Sequence, residues 1–344
     1  METIISFIVV FAVLVLFHEL GHFIVAKLVG IKVHEFSIGF GPRIGHRRIG
    51  ETVYSLRGVP LGGYVRLAGL DRSEDDNEVY TDPRSYYSKP TWAKLATFVA
   101  GPFMNIVLAV LLYFTIFSVV GVPAVSVMGV LPESPADLAG LQENDIVVSV
   151  NGRRVEMALE LFEIINANPG KELQLVVSRE GAEVQVTAVP EAVPGTGEGR
   201  LGIEIGEAKV KRGLLQTLSA SVAYTMEIFR MITVFLWRVL TGRAAAEFTG
   251  PVGIFRAIRQ TAEATPTFSA FVMGIMVLAA YLSTNLALFN LLPIPVLDGG
   301  WLVLIIVEAI RGKPVSVEHE AIYRFVGFLM IMALFVLVTL KDVF

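Results

Sequence analysis

The chain has 344 residues, a formal net charge of −4, 54% hydrophobic residues and only 17% charged ones. With a mean hydropathy of +0.64 it groups with multi-span membrane proteins rather than soluble enzymes, and its charge offers no case for nucleic-acid binding. Cysteine is absent, which excludes disulfides and thiolate metal sites, so a zinc site here must use His and carboxylate.

Residues 4–28 form the first of four segments that meet the requirement of roughly 20 apolar residues for a spanning helix. Met1-Glu2-Thr3 carries no basic n-region and no small-residue cleavage site closes the run, so it reads as a retained span. Inside it stands His18-Glu19-Leu20-Gly21-His22. On a helix both imidazoles project from one face, the spacing two ligands need to share one Zn²⁺, with Glu19 between them to activate water. Ionisable groups at membrane depth are costly and mark function.

A Gly-, Pro- and charge-rich loop follows, with Lys32, Arg43, Arg47, Arg48, Arg57, Arg66, Arg72 and Arg84 arguing for the cytoplasmic side. Residues 71–78 are acidic and read as a solvated tip. Val53-Tyr54-Ser55-Leu56 and Gly63-Tyr64-Val65-Arg66-Leu67 are its most strand-like parts. Residues 95–122 are the second span.

From about 125 to 207 short β-type runs (145–150, 173–178, 184–189) alternate with turn signals, and one helix fits near 157–167. That order suits a small α/β module of PDZ size. In residues 214–240, Leu214, Leu218, Val222, Phe229, Ile232 and Leu236 recur at helical spacing while Gln216, Glu227 and Arg230 fall elsewhere, predicting an amphipathic helix in the interface rather than a further span. Residues 271–292, with a continuation past Leu297 left open, and 322–340 are the third and fourth spans.

Parity then locates the rest of the site. If the first span runs toward the cytoplasm, His18 and His22 lie in its cytoplasmic half, and the third span ends at the same depth. Leu297-Asp298-Gly299-Gly300 sits there, and Asp298 is the only acid between Phe271 and Val307. Two His and one carboxylate suit a hydrolytic zinc with an open position for water. The preceding Asn290-Leu291-Leu292-Pro293-Ile294-Pro295 cannot be regular helix, and broken backbone at that depth is tolerated where it lines a cavity.

Together these residues, with Gly39-Phe40-Gly41-Pro42, Pro60-Leu61-Gly62-Gly63-Tyr64, Gly101-Pro102-Phe103-Met104-Asn105 and Thr249-Gly250-Pro251-Val252-Gly253, resemble the site-2 protease family of intramembrane zinc metalloproteases, in its bacterial form with a single PDZ domain. The resemblance implies one Zn²⁺ per chain, with His18, His22 and Asp298 as ligands and Glu19 as general base. It implies substrate contacts for Asn285 and Asn290, and a membrane-associated β-hairpin beside the active site carrying Gly39, Phe40 and Gly41. Ser134 to Leu141, Asn144-Asp145 and Asn151-Gly152 resemble the circularly permuted bacterial PDZ pattern, with Gly202 and Ile203 lining a peptide groove whose use is either to bind freed C-termini or to obstruct bulky, uncut substrates.

The expected fold is a polytopic α-helical membrane protein with about four transmembrane helices, a membrane-associated β-hairpin loop and one inserted α/β PDZ-like domain. Its parts are a membrane portion at 1–122, the PDZ-like module at 123–209, an interfacial segment at 210–270 and a second membrane portion at 271–344. The expected enzyme is multi-pass in a bacterial cytoplasmic membrane, its zinc in the cytoplasmic half and the PDZ-like module outside. Its expected substrates are single-span membrane proteins such as anti-sigma factors or signal-peptide remnants. Competing readings are a zinc-binding membrane transporter and a non-catalytic PDZ-bearing scaffold.

Overall fold

The computed structural model describes residues 2–70, 82–155, 157–245, 250–265, 267–313 and 315–343; the acidic stretch 71–78, Arg72 and Thr249 lie outside them. In chain order the elements are α1 (Glu2–Leu28), β1 (Val33–Ile49), β2 (Thr52–Leu67), α2 (Thr91–Val120), β3 (Val122–Val130), α3 (Pro135–Leu138) and β4 (Ile146–Val150). Then come α4 (Ala158–Asn166), β5 (Leu173–Arg179), β6 (Ala182–Ala188), β7 (Ile203–Val210), α5 (Leu214–Leu240), α6 (Pro251–Ala264), α7 (Phe268–Asn290), α8 (Asp298–Arg311) and α9 (Val317–Val343). They divide into two compact units, Met1–Tyr113 with Thr225–Phe344, and Phe114–Tyr224.

Among the described residues five helices are long and apolar enough to cross a membrane by length and composition: α1, α2, α5, α7 and α9. That is one more than the four segments expected, the addition being α5. The third span ends at Asn290 rather than continuing toward Asp298. Pro293 and Pro295 cannot donate amide hydrogens, the chain turns through Leu291–Leu297, and Asp298 opens a separate helix, α8. Outward faces are apolar: α9 exposes Ile322, Phe325, Phe328, Leu329, Met330 and Leu337, a surface suited to lipid and poorly suited to water.

The loop after α1 is a long antiparallel hairpin that curls on itself. Phe36 stands opposite Val65 and also opposite Tyr54, so the first half of β1 is flanked by β2 on both sides. Gly39-Phe40-Gly41 lies within β1 of the expected hairpin, where Gly39 and Gly41 take φ +87° and +82° and break the register. Val53–Leu56 is an interior strand, because it pairs with residues 45–48 on one side and 35–38 on the other; the two outer edges are residues 43–49 and Gly63–Leu67.

One face of the hairpin packs on α1 through Phe36, Phe23 and Tyr54. The other buries Glu35, which receives Ser55 Oγ at 2.6 Å, Arg57 Nη2 at 2.9 Å and Arg43 Nη2 at 2.8 Å. Burial alone would raise the Glu35 pKa, but the hydrogen bonds from Ser55, Arg57, Arg43 and Tyr64 outweigh it and hold the carboxyl down at about 2.

The Phe114–Tyr224 unit contains a mixed α/β module with strand order β7-β3-β4-β5-β6. Alternating side chains of these strands, including Val125, Val127, Val147, Leu173, Leu175 and Val177, close a core with Leu161 of α4 and with Leu201. Asp145, fully enclosed, takes two hydrogen bonds from Arg179 at 2.7 and 2.8 Å and one from the Gln142 N–H.

Candidate metal centre and active site

The α1 helix presents His18 and His22 on one face, and the first residue of α8, Asp298, meets them. His18 Nε2 lies 3.2 Å from Asp298 Oδ2 and His22 Nε2 lies 3.3 Å from Asp298 Oδ1. The two Nε2 atoms are 3.2 Å apart. Ligand atoms of all three residues fall within 4.8 Å of one another, a spread able to hold a metal ion.

Proton bookkeeping tests whether a cation fits. His22 Nδ1 is 2.8 Å from the Thr97 carbonyl, which can only accept, so Nδ1 carries the hydrogen and, in the neutral imidazole that a metal requires, Nε2 keeps a lone pair. His18 Nδ1 faces the amides of Asn105 at 3.3 Å and Asn290 at 3.5 Å. The buried Asn105 Oδ1 has no other partner, and a half-turn of that amide offers it to a His18 Nδ1–H. Both Nε2 lone pairs then converge on a carboxylate whose Oδ2 receives no hydrogen bond. Three acceptors with no proton among them repel unless a cation sits between, and two imidazoles with one carboxylate are a donor set for Zn²⁺.

Glu19 accepts a hydrogen bond from the Val65 N–H and lies within electrostatic range of His18, His22 and Asp298. A Cβ placed on Gly63 would stand 3.3 Å from Glu19 Cγ, so the outer edge Gly63–Leu67 runs beside the acid. Phe40 stacks over Tyr64 of that edge at 6.3 Å between ring centroids.

Sequence reasoning thus assembled His18, Glu19, His22, Asp298 and Asn290 in one place. The Asn285 amide bonds back to the Tyr281 carbonyl of its own helix at 2.9 Å. Gly202 and Ile203 lie in the α/β module, where the Gly202 carbonyl accepts from the Leu131 N–H at 2.9 Å and Ile203 opens β7, at the sheet edge. Leu159 and Phe162 of α4 are exposed apolar side chains of the same module.

Three contributors went unassigned from sequence. Thr97 acts through its carbonyl, which no side-chain pattern announces. Asn105 and Gly101 were legible only as a motif with a structural role near the site, not as partners of the imidazoles. A Cβ on Gly101 would stand 2.8 Å from His18 Cε1 and fall on the His22 ring, so only glycine lets α2 pass this close to both imidazoles.

Comparison with known proteins agrees with this chemistry. The model of peptidase family M50 matches residues 6–334. The regulator of sigma-W protease RasP of Bacillus subtilis (strain 168) is 31% identical over 99% of this chain and 98% of that protein. The zinc metalloprotease RasP of Geobacillus kaustophilus is 33% identical over 100% of this chain and 98% of that protein. Among solved structures, the PDZ domain of an SdrC-like protein from Listeria monocytogenes is 20% identical, covering 24% of this chain and 86% of that one with a TM-score of 0.23.

Proposed function

This chain belongs to peptidase family M50, the site-2 proteases, and is a multi-pass zinc metalloprotease; we propose that it hydrolyses peptide bonds inside the transmembrane segments of single-span proteins. The observation that carries this reading is the convergence of His18, His22 and Asp298 beside Glu19, on helices whose outward faces are apolar.

His18, His22 and Asp298 would hold the Zn²⁺, which when bound would supply Lewis acidity toward a water and a substrate carbonyl. Glu19 takes the proton from the attacking water and returns it to the departing amide nitrogen. The Val65 N–H fixes the carboxylate while it does so. Thr97 and Asn105 hold the imidazoles in the tautomer that keeps both Nε2 atoms free. Asn290, within reach of His18, flanks the same space and is assigned to substrate contact.

A spanning helix is a poor substrate until it unwinds, because its carbonyls are already bonded. Gly63–Leu67 supplies backbone partners for an unwound segment by strand addition, directly beside Glu19. In the α/β module we assign Gly202 and Ile203, at the edge strand β7, with the exposed Leu159 and Phe162 of α4, to binding peptide C-termini in the PDZ manner. Helix α5 has three sectors: Thr217, Ser221, Thr225 and Ile228 are buried, Leu214, Leu215, Leu218 and Val222 are exposed and apolar, and Gln216, Ser219 and Arg230 are exposed and polar. That arrangement favours an interfacial helix. With it the zinc site lies in the cytoplasmic half and the α/β module outside a bacterial cytoplasmic membrane. One relative is named a regulator of sigma-W protease, which favours anti-sigma factors as a substrate class.

The test uses a tagged single-span substrate with the wild type and Glu19→Gln in liposomes, with bound zinc quantified in both. Cleavage by the wild type, absent in a variant that retains its zinc, is the expected result. Equal cleavage by the two proteins sinks Glu19 as the base.

A further inference from the structure

We propose that the recess between the start of α2 and the end of α8 is a headgroup site for a phospholipid of the phosphatidylethanolamine type. The recess has a volume of about 370 Å³ and is lined by Tyr87, Thr91, Lys94, Ile305, Glu308 and Lys313. Thr91 is the first residue of a 30-residue apolar helix, which sets the recess at the depth where lipid headgroups lie. Trp92, 64% exposed beside it, suits the same level. Ile306, Val307 and Ile310 are exposed on α8 next to Glu308, an apolar strip on which an acyl chain can lie.

The polar groups select the headgroup. The Lys94 side chain is only 12% exposed, and its ammonium sits 5.2 and 5.5 Å from the ring centroids of Tyr86 and Tyr87. Its nearest carboxylate oxygen, Glu308 Oε2, is 3.8 Å away, too far for a hydrogen bond. Glu308 Oε1 is used by the Val315 N–H at 3.0 Å, which leaves Oε2 for the recess. A nearly enclosed ammonium thus lacks an acceptor, and a carboxylate oxygen beside it lacks a donor.

Lys94 and Lys313 offer two ammonium groups to a phosphodiester, and Glu308 offers a carboxylate oxygen to a cationic headgroup. Glu308 Oε2 calls for a charged N–H donor; a primary ammonium has three, a choline none, and a glycerol headgroup brings no positive charge. An ethanolamine phosphodiester satisfies both ends at once. Since α8 begins with Asp298, an occupied recess also braces the far end of the helix that supplies the carboxylate of the metal centre.

The full chain is purified in detergent, offered equal amounts of dioleoyl phosphatidylethanolamine, phosphatidylcholine and phosphatidylglycerol, and the retained lipid is counted by native mass spectrometry. Wild type is expected to retain the ethanolamine lipid roughly tenfold over either other lipid, as one charge-assisted contact implies. Glu308→Gln should erase the preference over phosphatidylglycerol, and Lys94→Met should lower retention of all three. Lys313→Ala, at an exposed position that does not threaten folding, should weaken all three several-fold through the phosphodiester. Equal retention of the three lipids by wild type, or an ethanolamine preference untouched in Glu308→Gln, overturns the proposal.

Discussion

His22 gives its Nδ1 hydrogen to the carbonyl of Thr97 at 2.8 Å, across 75 residues of chain. A carbonyl has no hydrogen to return, so this single contact decides which nitrogen of His22 is left to face Asp298. The helix-to-helix bond therefore does chemical as well as structural duty: α2 sets the tautomer of a residue on α1.

Asn105 performs the corresponding task for His18. Asn105→Leu keeps the side-chain volume and removes the hydrogen-bonding amide 3.3 Å from His18 Nδ1. Loss of such a partner typically weakens metal binding about 10–100-fold, and that is the expected drop in zinc affinity in a competitive chelator titration. An unchanged affinity removes Asn105 from the metal centre.

Gly101→Ala tests the close passage of α2. The added methyl meets both imidazoles, and overpacking of this kind costs about 1–3 kcal/mol. The rings must give way first, being the movable groups. Zinc content should fall markedly while the helical circular dichroism is retained; full zinc occupancy in a folded variant contradicts the packing argument.

Val65→Pro removes the N–H that holds Glu19 and interrupts one outer edge of the hairpin. Misplacing a general base costs on the order of 10²-fold or more in rate, and cleavage should drop by that much with bound zinc unchanged. Rates within a factor of two or so of wild type leave neither role standing.

The hairpin should be acid-sensitive through Glu35. Its carboxyl is held at about 2, below the ordinary carboxylate value, so the folded state binds its proton less readily than the unfolded chain. The stabilisation is complete above the unfolded pKa of about 4.3, and it is lost as pH falls from there toward 2. Hydrogen exchange at the amides of Phe36–Ser37 and Tyr54–Ser55 should show protection declining through that window. In Glu35→Gln the decline should be absent and protection lower at neutral pH.

What the sequence disclosed and what it concealed divide along a physical line. His18, Glu19, His22 and Asp298 were legible because metal chemistry requires particular side chains at a fixed helical spacing, and because charge in an apolar run is conspicuous. Strands such as residues 173–178 were legible from alternation. Hidden were contacts made by backbone, such as the Thr97 carbonyl and the Val65 N–H, since any residue could supply them. The curl of the hairpin was hidden too. Gly39, Gly41 and Pro42 read as loop punctuation, yet they permit the bend that lets β2 flank β1 twice and turns Val53–Leu56 into an interior strand. Asp298 was legible as the partner of His18 and His22, but the separate helix α8 that it opens was not, because prolines mark where a helix stops and not where the next begins.

The most direct measurement maps the bond that is cut. A single-span substrate is incubated with the zinc-loaded protein in liposomes, and the new termini are identified by mass spectrometry, with Glu19→Gln run beside it. The account predicts termini within the apolar segment of the substrate for the wild type and none for Glu19→Gln. Termini confined to the soluble flanks, or the same intramembrane termini from Glu19→Gln, would contradict it.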